Sequence, residues 1–520
     1  PSGFKALCTA NLPTPDVPDS SDCFDVKTYT GSGGLELAST SLNTSTAYRH
    51  HRILCEGDNN GGSISEIQFF DASGLIDASD TNNAGSSVTS NSNQGLAAWT
   101  AFNGTLGGSS YSYGVRKDPS SGFYIAKDWG SGNTKTITAV KIWGVDSYAI
   151  AGNTSSTYIK LQGSNDGSTW TDLQEWDDSR TGSWTSSSST QVAHTSDTTT
   201  TIGGYEFSPD LVWIKKRSGT SDHALFDTVR GATKRLYPND TSNEDTLTDT
   251  LTAFNSDSFS LGTASDVNAN GDTYVGWAWD AGNSTVSNTD GDITSSVRAN
   301  TSAGFSIVKW TTPTWSGSAN RQVGHGLNAA PEFIITKGIS TTGSWYTYHK
   351  ELDASNPNDY YITLNSTDTV NQLADSFGPD IPDSTPFGDR LLGFTENAES
   401  VAFCWTPVSG YSAFGKYLGN GNTNGPFVYT GFRPALVIVK DLSSSTSWCL
   451  WDSKRPGYNL TDDLFNIDNS NAEAAWAYID ILSNGFKVRG THAVQNTNGD
   501  SYIYAAFAEN PFQANGGLAR

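Results

Sequence analysis

One strand is written three times in this chain, starting at Pro209, Pro331 and Pro434. The copies read Pro209-Asp-Leu-Val-Trp-Ile-Lys215, Pro331-Glu-Phe-Ile-Ile-Thr-Lys337 and Pro434-Ala-Leu-Val-Ile-Val-Lys440. Each is a proline, a largely apolar run and a lysine six positions on, in register without gaps. Fourteen residues after the proline a second apolar run opens: His223 to Asp227, Trp345 to His349, Trp448 to Asp452. A third strand closes each copy, at Tyr274–Trp279, Val401–Trp405 and Tyr502–Phe507. The prolines are 122 and 103 residues apart, far above the 20–50-residue period of a solenoid. These are domain-sized duplications, and the chain reads as a string of related β-modules.

Composition agrees. Charged residues are 16% and aromatics 12% of 520 residues. Few charges with many aromatics and dense Val/Ile runs favour packed, loop-rich sheets over disorder. A net charge of −23 repels phosphate backbones and anionic lipid, which argues against nucleic-acid binding. No apolar run has the length of a membrane span, so membrane insertion is not expected. The chain starts at Pro1 and contains no Met, so a processed or truncated N-terminus is expected. Five scattered cysteines (Cys8, Cys23, Cys55, Cys404, Cys449) make no disulfide framework. Cys8 with Cys23 is a conceivable pair, but free thiols and synthesis in a reducing host cytoplasm fit better.

Ahead of each proline strand stands a strand with a lysine closely followed by an aromatic: Phe305 to Trp310 in the second copy, Phe414 to Tyr417 in the third. The first copy's counterpart, Phe24-Asp-Val-Lys27-Thr-Tyr29, lies some 180 residues upstream of Pro209. A domain is therefore inserted into a loop of the first copy, between the flexible tracts Gly31–Gly34 and Thr198–Thr201. The expected organisation is 1–35 plus 197–282 for the first module, 36–196 for the insertion, 283–408 for the second and 409–520 for the third.

Within the insertion, Ser63–Asp71 alternates as a half-buried strand. Ala101-Phe-Asn103-Gly104, Lys135–Trp143 and Tyr158–Gln162, with the turn Ser164-Asn165-Asp166-Gly167 and Trp170, follow in order. In this order they resemble the discoidin (coagulation-factor type C) family of galactose-binding-like jelly rolls. The resemblance implies an eight-stranded sandwich with close ends, and a ligand held by loops at one end. The repeats, through Ser295–Val308, Gly324-His325-Gly326-Leu327, Phe24–Gly31 and Tyr504–Phe512, resemble β-rich modules of structural proteins from tailed phages, especially marine ones. That resemblance implies a place on a virion, in a tail fibre or head decoration, and homo-oligomerisation, for example as a trimer, with other virion proteins as partners.

The polar clusters carry little that resembles a catalytic or metal site. Asp266, Asn268, Asn270 and Asp272 alternate like the first half of a calcium loop, with Gly271 at the sixth position. Trp277 stands where the bidentate acid belongs, so a turn before a strand is preferred over Ca2+. No histidine pair is spaced to seat zinc. His50 and His51 are adjacent and point to opposite faces, His325 shapes a turn, and His349 replaces Asp227 and Asp452 of the other copies. Ser221-Asp222-His223 are contiguous, unlike a catalytic triad. No active site emerges.

Recognition is the better fit. A sugar needs an aromatic platform beside amide, carboxylate or hydroxyl groups. The insertion offers Trp99, Asn103, Tyr111, Tyr113, Arg116, Trp129 and Trp184 in turn-rich stretches, whereas Trp143 and Trp170 read as core. The expectation is an all-β virion surface protein: three homologous β-sandwich-like modules, and a galactose-binding-like jelly roll displayed for attachment to a host-surface glycan. Its alternatives are a purely structural capsid or tail element, a capsule polysaccharide depolymerase, and a bacterial extracellular adhesin or filament subunit.

Overall fold

Each proline strand is buried along nearly its whole length, which requires apolar cover on both of its faces. The computed structural model shows where both covers come from. It describes residues 23–32, 36–39, 46–56, 63–64, 66–71, 74–76, 88–90, 94–95, 98–102, 115–116, 123–143, 157–178, 200–313, 321–388, 390–392, 397–455 and 459–509. The fold is all-β, and among the described residues most strand pairings are antiparallel, while the isolated bridge Ile293 to Val323 is parallel.

The chain divides into two compact units: Pro1–Tyr29, Thr201–Ser260 and Asp272–Arg520 form one, and Thr30–Thr200 with Leu261–Gly271 form the other. In the first unit the three copies build the same sheet. Its order is lead, closing, proline and return strand in each case. The lead strands are Phe24–Thr30, Phe305–Thr311 and Ser412–Leu418, and the closing strands are Thr273–Trp279, Glu399–Trp405 and Ser501–Ala508. The proline strands are Leu211–Lys216, Phe333–Gly338 and Pro434–Asp441. The return strands are Ala224–Asp227, Tyr346–His349 and Cys449–Asp452. Register matches too, since Trp279, Trp405 and Phe507 lie opposite Leu211, Phe333 and Leu436, two residues after each proline.

One face of each sheet covers a small second sheet. In the third copy, Val437, Val439, Trp451 and Tyr502 pack on Val428, Ile479, Phe486 and Val488 of the sheet Asn424–Tyr429, Gly485–Arg489, Tyr478–Leu482. The opposite faces of all three sheets share a single core. At its centre the equivalent rings of Trp279, Trp405 and Phe507 form a triangle, with centroids 6.2, 5.6 and 6.2 Å apart. The string of modules expected from sequence therefore closes on itself.

Polar groups repeat this cycle. The side chain at the fourteenth position after each proline bonds a carbonyl in the preceding copy. Trp345 Nε1 donates to Tyr237 O (2.8 Å), Trp448 Nε1 to Thr363 O (3.0 Å), and His223 Nε2 to Asn466 O (3.1 Å). The acceptors are equivalent, each following the residue (Leu236, Ile362, Phe465) that pairs with the return strand. The lysines obey the same rule: Lys337 reaches Thr241 O (2.9 Å), Lys440 reaches Thr367 O (3.1 Å) and Lys215 reaches Ser470 O (3.4 Å). First to third, second to first and third to second, the copies are joined in a closed ring.

The second unit is a sandwich in its own right. A five-stranded sheet that includes His50–Glu56, Phe123–Asp128 and Thr157–Ser164 faces a four-stranded sheet that includes Glu66–Asp71 and Ala139–Trp143. Ile53, Ile125 and Leu161 from the first meet Ile67, Phe69, Val140 and Ile142 from the second. Trp170 is a correction to the sequence reading: it is half-buried and stands outside this core.

Candidate functional site

The buried ionisable groups of the ring hold the fold. Lys215, Lys337 and Lys440 are fully buried, and burial pushes each ammonium down to about 8. Their N–H groups go to backbone carbonyls, which solvate the charge without a carboxylate partner among the described residues. His223 accepts from Trp213 Nε1 on its Nδ1 (2.9 Å), so its proton sits on Nε2, and burial lowers it to about 3. Asp227 and Asp452 cap the turns after their return strands and pair with Arg230 and Arg455. His349 does the same job in the second copy, its Nδ1 accepting from the Glu351 N–H (3.1 Å) while Nε2 donates to Tyr504 O (3.1 Å). His325 accepts the Leu327 N–H within its turn. Cys404 and Cys449 are buried free thiols, and Cys23 is buried.

The calcium-like segment serves the loop that carries the insertion. Gly271 adopts φ +78° and donates its N–H to Gly31 O (2.9 Å) at the root of that loop. Gly499 (φ +84°) does this to Gly419, and Asn397 (φ +61°) to Thr312, at the matching loops of the third and second copies. Asn268 is fully buried; its Oδ1 accepts from the Ser32 N–H (2.9 Å) and its Nδ2 donates to Thr200 Oγ1 and Gly262 O. Asn496 repeats the first bond with the Asn420 N–H (2.8 Å). Asp272 binds Lys216 and Ser218. The oxygens a cation would need are thus committed to protein partners at Asn268 and Asp272.

One cluster of polar and aromatic groups faces outward on the insertion's five-stranded sheet. Strand alternation turns His51 and Ile53 inward and Arg52 outward. The Arg52 guanidinium lies 4.2 Å from the Trp170 ring centroid and 5.2 Å from that of Tyr124, and its Nε donates to Gln162 Oε1 (2.6 Å). Beside it Arg49 grips Asp128 through two hydrogen bonds of 2.9 and 2.8 Å. Burial works against the Asp128 carboxylate, yet bonds from Arg49 and the Gly130 N–H hold it below its ordinary value. The Arg49 N–H donates to Asn165 Oδ1, and the N–H groups of Thr169 and Ser168 depress Asp166 strongly. His50 lies between Asp128 and Trp170. This is a surface of fixed donors and acceptors around one indole, suited to recognition.

Of the residues expected at a ligand site, Trp129 has a described side chain. It packs on Phe69 and donates to His51 Nδ1 (2.8 Å), which makes it an anchor of the sandwich. Trp99 lies in the short helical turn Ala98–Phe102 and Arg116 in the strand Val115–Arg116, with their side chains outside the described residues, as is that of Trp143. Asn103, Tyr111, Tyr113 and Trp184 lie outside the described residues altogether. The residues that sequence reasoning missed are Arg49, Arg52, Asp128 and Gln162. The run Arg49-His-His-Arg52 at a strand start was their one signal.

No curated protein and no solved structure matches the chain. A protein family does match, over residues 184–511, a span that takes in nearly all of the repeated strands. The chain belongs to that family, described as Domain of unknown function (DUF7483).

Proposed function

We propose that this chain is a virion surface structural protein, a fibre, spike or decoration component, which displays the inserted sandwich for attachment to a host-surface glycan. The observation that carries the reading is the closed cycle of lysine, tryptophan and histidine bonds between the three copies. Side chains repeated at equivalent positions support their neighbours' backbones, as a rigid scaffold requires. The insertion is threaded through one loop of that scaffold, at a root built like those of the other two copies. Resemblance to tailed-phage modules supplies the virion setting, where other virion proteins and further copies of the chain are the natural partners.

The test is binding of the whole chain to an array of bacterial envelope polysaccharides, with Arg52→Ala and Trp170→Ala alongside. Retention by a subset of glycans, weakened by either substitution while the fold persists, is the expected result. Release of new reducing ends from a retained polysaccharide would replace attachment with depolymerisation. Equal retention of wild type and both variants would remove the Arg52–Trp170 surface from the account.

A further inference from the structure

The third copy carries a feature that its fold does not require. In its small sheet, Val428 points into the core while Phe427 and Tyr429, on either side of it, face solvent at 46% and 67% exposure. Alternate residues of a strand share a face and lie about 7 Å apart, so the two rings form one exposed row. The strands that follow the lead strand in the other copies hold Thr201 and Gly203 around Ile202, and Gln322 and Gly324 around Val323. Small or polar residues therefore suffice for this sandwich. Two large exposed aromatics in one copy alone call for another cause.

Their neighbours indicate what the rings meet. Across the sheet Phe427 pairs with Lys487, and Lys487 with Asp480; Arg489 and Tyr478 pair in the next outward row. Lys487 Nζ donates to Gly425 O (2.8 Å), which pins the ammonium beside Phe427 with two N–H groups to spare. No carboxylate pairs with it among the described residues, because Asp480 is engaged by Arg489 (3.0 Å). A chain of net charge −23 thus sets two cations and one acid among three rings on a single sheet face.

We propose that this face is a binding site for a carboxylate-bearing polysaccharide. Sugar rings would stack through their apolar C–H faces on Phe427 and Tyr429, and a uronate-type carboxylate would take the free N–H groups of Lys487. The charge of Lys487, which no carboxylate balances among the described residues, selects an acidic glycan over a neutral one. The site is separate from the Arg52–Trp170 surface and stands without it.

Affinity electrophoresis of the full chain in gels containing sodium alginate or dextran tests this directly. Alginate should retard the wild type and dextran should not. Phe427→Ala with Tyr429→Ala should weaken retardation about tenfold, the scale of two lost ring contacts. Lys487→Gln should also weaken it, and Trp170→Ala should leave it unchanged. Circular dichroism and the melting temperature should match wild type in the exposed-site variants. Absence of retardation by alginate, equal retardation by dextran, or full retention by the double-alanine variant would each overturn the proposal.

Discussion

Trp448 of the third copy donates its indole N–H to the carbonyl of Thr363 in the second, and both residues are buried. The same bond runs from Trp345 to Tyr237, and a histidine, His223, completes the cycle at Asn466. Trp448→Phe removes the donor and shrinks the buried indole to a phenyl ring, which also leaves a cavity in the shared core. The Thr363 carbonyl left without its partner costs about 1–3 kcal/mol, and the lost ring volume adds to that. Urea unfolding of the variant against wild type measures it.

His349 stands where the other copies have Asp227 and Asp452, and Leu352 where they have Arg230 and Arg455. His349→Asp would bury a carboxylate without its guanidinium, destabilising by about 3–5 kcal/mol. Adding Leu352→Arg should recover part of the loss. Recovery stays incomplete because the bond from His349 to Tyr504 O is gone. A double-mutant cycle reads the coupling.

The buried lysines give the protein an unusual alkaline response. Their folded values of about 8 lie below the ordinary lysine value of 10.5, so the unfolded chain binds more protons between the two. Stability should therefore rise as pH increases from about 8 toward 10. Above that, burial of Tyr205, Tyr411 and Tyr417, which raises all three, reverses the trend. Melting temperatures across pH 7–10 should show the rise in wild type and lose most of it in Lys215→Met/Lys337→Met/Lys440→Met.

The repeat made much of the fold legible. The prolines, the lysines six residues on and the aromatic or histidine fourteen residues on all sit in equivalent structural places. The closed ring was hidden because its acceptors are backbone carbonyls, at Tyr237, Thr363 and Asn466, which carry no side-chain signature. Asn268 resembled a cation ligand because a buried amide that ties a loop root uses the same oxygen a metal would. Trp170 looked like core because an aromatic after a strand and turn is usually inward; here Arg52, from a strand more than a hundred residues earlier, covers its face instead. Trp129 looked like a platform because only the fold brings Phe69 and His51 against it.

The claim on which the account rests is that three copies share one core and support one another in a cycle. Native-state hydrogen exchange of Trp448→Phe examines it at the peptide level. Protection should fall together in the proline strands Leu211–Lys216, Phe333–Gly338 and Pro434–Asp441, although the hydrogen bond removed joins only the second and third copies. Loss confined to Phe333–Gly338 and Pro434–Asp441, with Leu211–Lys216 as protected as in wild type, would contradict it.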